Sequence, residues 1–189
     1  PMYKVRDHFT LPVEVEALGV IPHAHYICKD MKGVAILPDG KRKWMIWIRN
    51  WNFNWQEQYR YAKPMRLPAG TRLEMEFTYD NSEANPRNPS HPPQPVSWGM
   101  GSHDEMAGLH VQVVPARMED LEELGKALWG KVMRSLGGGI YRHRRNGGRG
   151  NLLDPRRRCR GGRQRDVGVI CHRRGRRAAV DLLLRQARR

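Results

Sequence analysis

The sequence predicts an all-β fold: an antiparallel, jelly-roll-like β-sandwich followed by a carboxyl-terminal helix and a disordered Arg-rich tail. Three observations carry that reading. In residues 71–80, "TRLEMEFTYD", Leu73, Met75 and Phe77 fall on one side of an extended chain and Arg72, Glu74 and Glu76 on the other, because successive side chains of a strand point to opposite faces. Residues 32–48, "KGVAILPDGKRKWMIWI", set Pro38-Asp39-Gly40 between two strand-like runs, which is a hairpin signal. Strand-like segments recur at short spacing, the pattern of a sandwich.

The remaining elements follow in chain order. Residues 12–27, "PVEVEALGVIPHAHYI", begin with the alternation of a half-buried strand. Residues 81–102, "NSEANPRNPSHPPQPVSWGMGS", are too rich in Pro, Asn and Ser for a helix or a central strand. A loop of that length inside a compact domain is either functional or disordered. Residues 106–115, "MAGLHVQVVP", read as the last strand, stopped by Pro115. Beyond it Met118, Leu121, Leu124, Leu128 and Val132 recur at helical steps, with acids in the first turn and Gly137–Gly139 at the end. The expected division is a sandwich over 1–116, a helix over 117–136 and a tail over 137–189.

The net charge of +15 belongs to the tail. Residues 140–189 hold seventeen Arg, no Lys and three acids, a net of +14, which leaves residues 1–139 at +1. The near-neutral body gives no electrostatic reason to expect nucleic acid as its partner. The tail holds one aromatic residue, Tyr141, and runs such as "DPRRRCRGGRQR", too little apolar surface to offset the entropy of ordering it. It reads as an Arg-rich arm for RNA or DNA, as a disordered segment, or as a GC-rich stretch translated out of frame.

Cys28 is alone in the body, Cys159 and Cys171 lie in the tail, and no CxxC occurs, so neither a zinc ribbon nor a redox dithiol is indicated. No apolar run approaches the roughly eighteen residues of a membrane span. The chain starts at Pro1 and shows no signal-peptide pattern, so a fragment or a processed product is expected.

Candidate chemistry begins at His23 and His25. On a strand, residues i and i+2 share a face about 6.6–7 Å apart, so two imidazoles can present themselves to one ion while Ala24 and Tyr26 turn away. Pro22 interrupts the ladder and frees this strand end to face a cavity. Solvent-facing or structural histidines satisfy the same pattern. Met106 opens the last strand; a thioether is a soft ligand that favours Cu(I), and it is also ordinary core filler.

The two segments together, "PHAHYICKDMKG" and, some eighty residues on, "HDEMAGLHVQVVP", resemble the copper type II, ascorbate-dependent monooxygenases, the family of peptidylglycine α-hydroxylating and dopamine β-monooxygenases. The likeness is to the carboxyl-terminal catalytic half and covers roughly residues 5–116, including "NWQEQYRY" and the "NPxNPxHPP" loop. It implies one copper ion held by His23, His25 and Met106, dioxygen activated there for C–H hydroxylation, and ascorbate or another one-electron reductant as co-substrate. It also implies an extracytoplasmic location. Asp104 and Glu105 either fix the loop and orient an imidazole or are solvated turn residues.

The resemblance fails at the substrate grip. Peptide-hydroxylating members hold a carboxylate with Arg, Asn and Tyr where this chain has Ile21, Gly108 and His110, so a neutral small-molecule substrate is expected. His110 shares a strand face with Met106 and Gly108; substrate contact, copper contact and simple exposure are all open to it. The family's preceding three-His copper domain has no counterpart here, so a separate or upstream electron-delivering domain is expected and the chain alone is not expected to complete turnover. Residues 41–61, "KRKWMIWIRNWNFNWQEQYRY", interleave aromatic and basic residues as single-strand nucleic-acid platforms do, or as sandwich core or a substrate wall. The function classes are thus a copper monooxygenase half, a non-catalytic copper-binding or electron-transfer sandwich, and an Arg-tailed nucleic-acid binder.

Overall fold

The structure, a computed structural model, describes residues 2–137, 172–174 and 177–185. Strands β1 (Met2–Thr10), β2 (Val15–Ala24), β3 (Cys28–Ile36), β4 (Arg42–Ile48), β5 (Tyr59–Leu67), β6 (Arg72–Asp80) and β7 (Ala107–Pro115) precede helix α1 (Leu121–Gly137), then β8 (His172–Arg174) and β9 (Arg177–Arg185). They form two antiparallel sheets, in the orders β1-β6-β3-β4 and β5-β2-β7-β9-β8. The all-β class with a helix after the sandwich strands is what the alternation pattern implies.

Local chemistry explains the elements. β6 buries Leu73, Met75, Phe77 and Tyr79 and turns Arg72, Glu74 and Glu76 outward. The β3–β4 hairpin closes where Gly40 N donates to Leu37 O at 2.9 Å and Asp39 Oδ1 accepts from Lys41 N at 3.0 Å. Gly40 sits at φ +81°, a conformation that side chains disfavour. Apolar residues of both sheets meet in one core. A Cβ on Gly33 of β3 would lie 2.5 Å from Leu109 Cδ2 of β7, so glycine there lets the two sheets approach. Leu124 and Leu128 seat α1 on the same core, and Lys131 pairs with Asp7 of β1.

Two strands left weak traces in the sequence. β1 is largely exposed and lies at an edge, held by cross-strand pairs of Lys4 and Arg6 with Glu76. β5 contains Pro64, which is tolerated because β5 is also an edge strand.

Within the segment read as a tail, the structure describes two strands, His172–Arg174 and Arg177–Arg185. β9 pairs with β7 from Gly108↔Arg185 to Val113↔Val180. Its sequence, "RAAVDLLLR", is the tail's one sustained apolar run, and it supplies hydrogen-bond partners to an edge of β7 that would otherwise stay open. The rest of the predicted tail, with the out-of-frame reading that rests on it, lies outside the described residues.

The long Pro-rich segment is held by its own asparagines. Asn85 Nδ2 donates to Asp80 O at 2.7 Å, and Asn88, itself buried, donates to Asn81 Oδ1 at 2.8 Å. No helix among the described residues is long and apolar enough to cross a membrane.

Candidate metal centre

The site is built by the β2–β7 ladder. Its register pairs Ile21 with His110, His23 with Gly108 and Ala24 with Ala107. Residues directly opposite in an antiparallel pair share a face. Val20, Ala24, Leu109 and Val111 therefore go to the core, and Ile21, His23, Gly108 and His110 lie on the sheet's other face. The β5 ladder ends at Val20, and β2 runs on to Ala24 with β7 as its neighbour; the expected interruption at Pro22 does not occur in that ladder, where Pro22 sits opposite Leu109.

One rung further, His25 follows β2 and Met106 precedes β7. Glu105 ties these ends together: its Oε1 accepts from the backbone N–H of His25 at 3.1 Å and of Met106 at 2.9 Å. The two amides are thus no more than about 6 Å apart. The structure brings His23, His25 and Met106 to one end of one ladder, with the imidazole centroids of His23 and His25 5.2 Å apart and perpendicular.

Each ring is oriented through Nδ1. His25 is buried, and its Nδ1 lies 2.9 Å from the backbone O of Asp104. A carbonyl only accepts, so His25 Nδ1 carries the hydrogen and the neutral ring's lone pair is at Nε2. His23 is half-buried, with Nδ1 2.7 Å from Gln56 Oε1. Phe53 packs edge-on to His25 at 5.9 Å and against Tyr26 at 4.3 Å, and Tyr26 in turn meets His103.

Of the two readings of Asp104 and Glu105, the structure shows the orienting one. The main-chain carbonyl of Asp104 holds the His25 ring, and its side chain accepts from Gly101 N. Glu105 is 4% exposed, and burial pushes its carboxyl up to about 8 against the pull of its two backbone N–H bonds. Burial first, and the Glu105 charge second, hold the Cys28 thiol up, so Cys28 is a core side chain and not a ready thiolate ligand.

The aromatic segment divides. Trp51 is core and Phe53 faces the histidines, whereas Trp44, Trp47, Trp55 and Tyr59 are exposed. Trp44 and Trp47 stack on each other at 5.2 Å on β4, an edge of the other sheet. Sandwich core thus describes Trp51 alone among these six.

Sequence reasoning gave no role to Gln56 and read Phe53 only as one of the aromatic residues of 41–61, not as a partner of His25. "NWQEQYRY" was one of the stretches carrying the resemblance, but nothing in its composition marks a residue that reaches His23 from 33 positions away.

The donor set fits a copper ion. Two imidazoles, one of them locked with Nε2 unprotonated, and the methionine whose backbone meets His25 at Glu105 carry neutral nitrogen and soft sulfur ligands. No cluster of three or more His, Cys, Asp or Glu able to hold a metal occurs among the described residues. No family model matches the chain, and no curated protein is significantly similar to it.

Proposed function

We propose that this chain is the catalytic copper half of a copper-dependent monooxygenase, with one copper ion held by His23, His25 and Met106. The observation that carries the reading is the shared strand end: one carboxylate oxygen of Glu105 joins the backbones of His25 and Met106, with His23 on the adjacent rung. When bound there, copper supplies one-electron chemistry toward dioxygen for hydroxylation of a C–H bond.

The chain's own residues orient and exclude. Asp104 O holds the His25 ring, Phe53 shields it, and Ile21, Gly108 and His110 offer a nearby surface for substrate. Ascorbate or another one-electron reductant, a separate electron-delivering copper or redox domain, and an extracytoplasmic setting complete the proposal.

The test is metal content and X-ray absorption on the full chain. One copper per chain is expected, with a sulfur scatterer in the reduced form that vanishes in Met106→Leu. Spectra unchanged by that substitution would sink the assignment. Stoichiometric copper without any oxygen-dependent product would instead support a binding or electron-transfer module.

The same reading fixes a substrate preference. Ile21 and Gly108 offer neither cation nor side-chain donor where a carboxylate grip would sit, and burying a carboxylate without partners is strongly unfavourable. Peptides ending in glycine are expected to bind the copper-loaded protein no better than matched peptides ending in amidated glycine, as measured by calorimetry. A carboxylate-dependent gain on the order of tenfold, 1.4 kcal/mol, would show that another group has taken over the grip.

A further inference from the structure

We infer that Gln56 is the positioning residue that makes His23 a ligand, and that the Pro-rich loop keeps Gln56 in place; the role, though not the hydrogen bonding, rests on the copper reading. The argument begins at the amide. Gln56 Nε2 donates to Phe53 O at 2.8 Å. A carbonyl can only accept, so the NH2 end of the side chain is committed to Phe53 and the oxygen is the end that faces His23. At 2.7 Å from that oxygen, His23 Nδ1 must be the donor. A neutral imidazole carries one N–H, so the lone pair of His23 is at Nε2.

His23 and His25 thereby reach the same tautomer by different routes. His25 uses the backbone of Asp104, in the turn that precedes β7, whereas His23 depends on a side chain from the segment between β4 and β5. Phe53 serves both: its carbonyl orients Gln56 and its ring packs on His25.

That segment is in turn held from below. Arg87 of the Pro-rich loop donates through Nη1 to Asn50 Oδ1 at 2.8 Å and to Trp51 O. Trp51 is 1% exposed, so the backbone that leads to Phe53 and Gln56 is anchored in the core at one end and clamped by Arg87. The order of dependence is Arg87, then residues 50–51, then Phe53 and Gln56, then His23. The loop of residues 81–102 acts on the candidate centre through this segment.

Nitrogen chemical shifts of the histidine rings in the metal-free full chain at pH 8.5, with Cu(I) affinity measured in parallel by competition with a chelator, test the assignment. In the wild type, His23 is expected as the Nδ1–H tautomer. Gln56→Leu is expected to shift His23 toward the Nε2–H tautomer common in solvent, leave His25 unchanged, and weaken Cu(I) binding by roughly 10- to 100-fold. Gln56→Glu keeps an acceptor within reach of His23 Nδ1 but loses the bond to Phe53 O, so it should retain the Nδ1–H tautomer and lose less affinity than Gln56→Leu; Arg87→Ala should give a partial shift at His23 alone. A Gln56→Leu protein whose His23 keeps the Nδ1–H signature and whose Cu(I) affinity is unchanged would overturn the inference. If the wild type binds no copper but the tautomer collapses in Gln56→Leu, the positioning role stands and the copper reading falls.

Discussion

Replacing His25 by Ala is expected to abolish copper binding and also to destabilise the metal-free protein, by about 2–4 kcal/mol. Replacing His23 by Ala should abolish binding while costing under about 1 kcal/mol. The asymmetry follows from where the rings sit. His25 is 3% exposed; its removal empties a space against Phe53 and leaves Asp104 O without its donor. His23 is half-buried on the sheet's outer face, and Gln56, its partner, is exposed. For both variants the loss in affinity should exceed the roughly 10- to 100-fold cost of disturbing a ligand's hydrogen-bond partner. Denaturant melts of the metal-free proteins, run beside copper titrations, separate the two effects. Copper binding that survives in both variants would remove the histidines from the site, whatever happens to stability.

The histidine pair shows what was legible in the chain and what was not. The strand period places His23 and His25 on one face from sequence alone, and the alternation in β6 and the Pro38-Asp39-Gly40 turn are equally local signals. The meeting of the His25 and Met106 backbones at Glu105 is not local, because it depends on how the ends of β2 and β7 come together in the folded sheet.

β1 and β5 were invisible for a different reason. An edge strand buries little, so its sequence carries neither clean alternation nor a ban on proline. β9 went unread because a window dominated by Arg hides a nine-residue apolar segment that becomes a strand only when β7 offers it an edge. The contacts that orient the rings are the least legible of all. A main-chain carbonyl such as that of Asp104 leaves no mark on residue type, and Gln56 is one of several glutamines with nothing to distinguish it.

Glu105 gives the second large effect, a fall in the stability of the metal-free protein as pH rises from about 5 to about 8. Its carboxyl is buried beside Cys28 and Tyr79, its Oε2 has no hydrogen-bond partner among the described residues, and desolvation lifts it from the ordinary 4.5 to about 8. A carboxyl raised in the folded state binds more protons folded than unfolded, so its contribution is complete below about pH 4.5 and is lost progressively up to about pH 8. At about 1.36 kcal/mol per unit of difference, the full span is on the order of 5 kcal/mol. Exposed carboxylates such as Glu14 and Asp39 are held low by their cationic partners and act at the opposite end, losing their contribution as pH falls below the usual carboxylate range. Glu105→Gln keeps an oxygen for the His25 and Met106 amides and replaces the ionisable hydroxyl with an NH2 group, so it should fold and lose most of the decline between pH 5 and 8. Glu105→Ala leaves both amides without their acceptor and should cost about 1–3 kcal/mol near pH 5, a gap that narrows toward pH 8 because the variant also lacks the ionisable group. Urea midpoints of the chelator-treated proteins from pH 5 to 8.5 decide the matter. A Gln variant with the wild-type slope would mean that Glu105 is already ionised at pH 5 in the fold, and that the link between the two strand ends is a charged one.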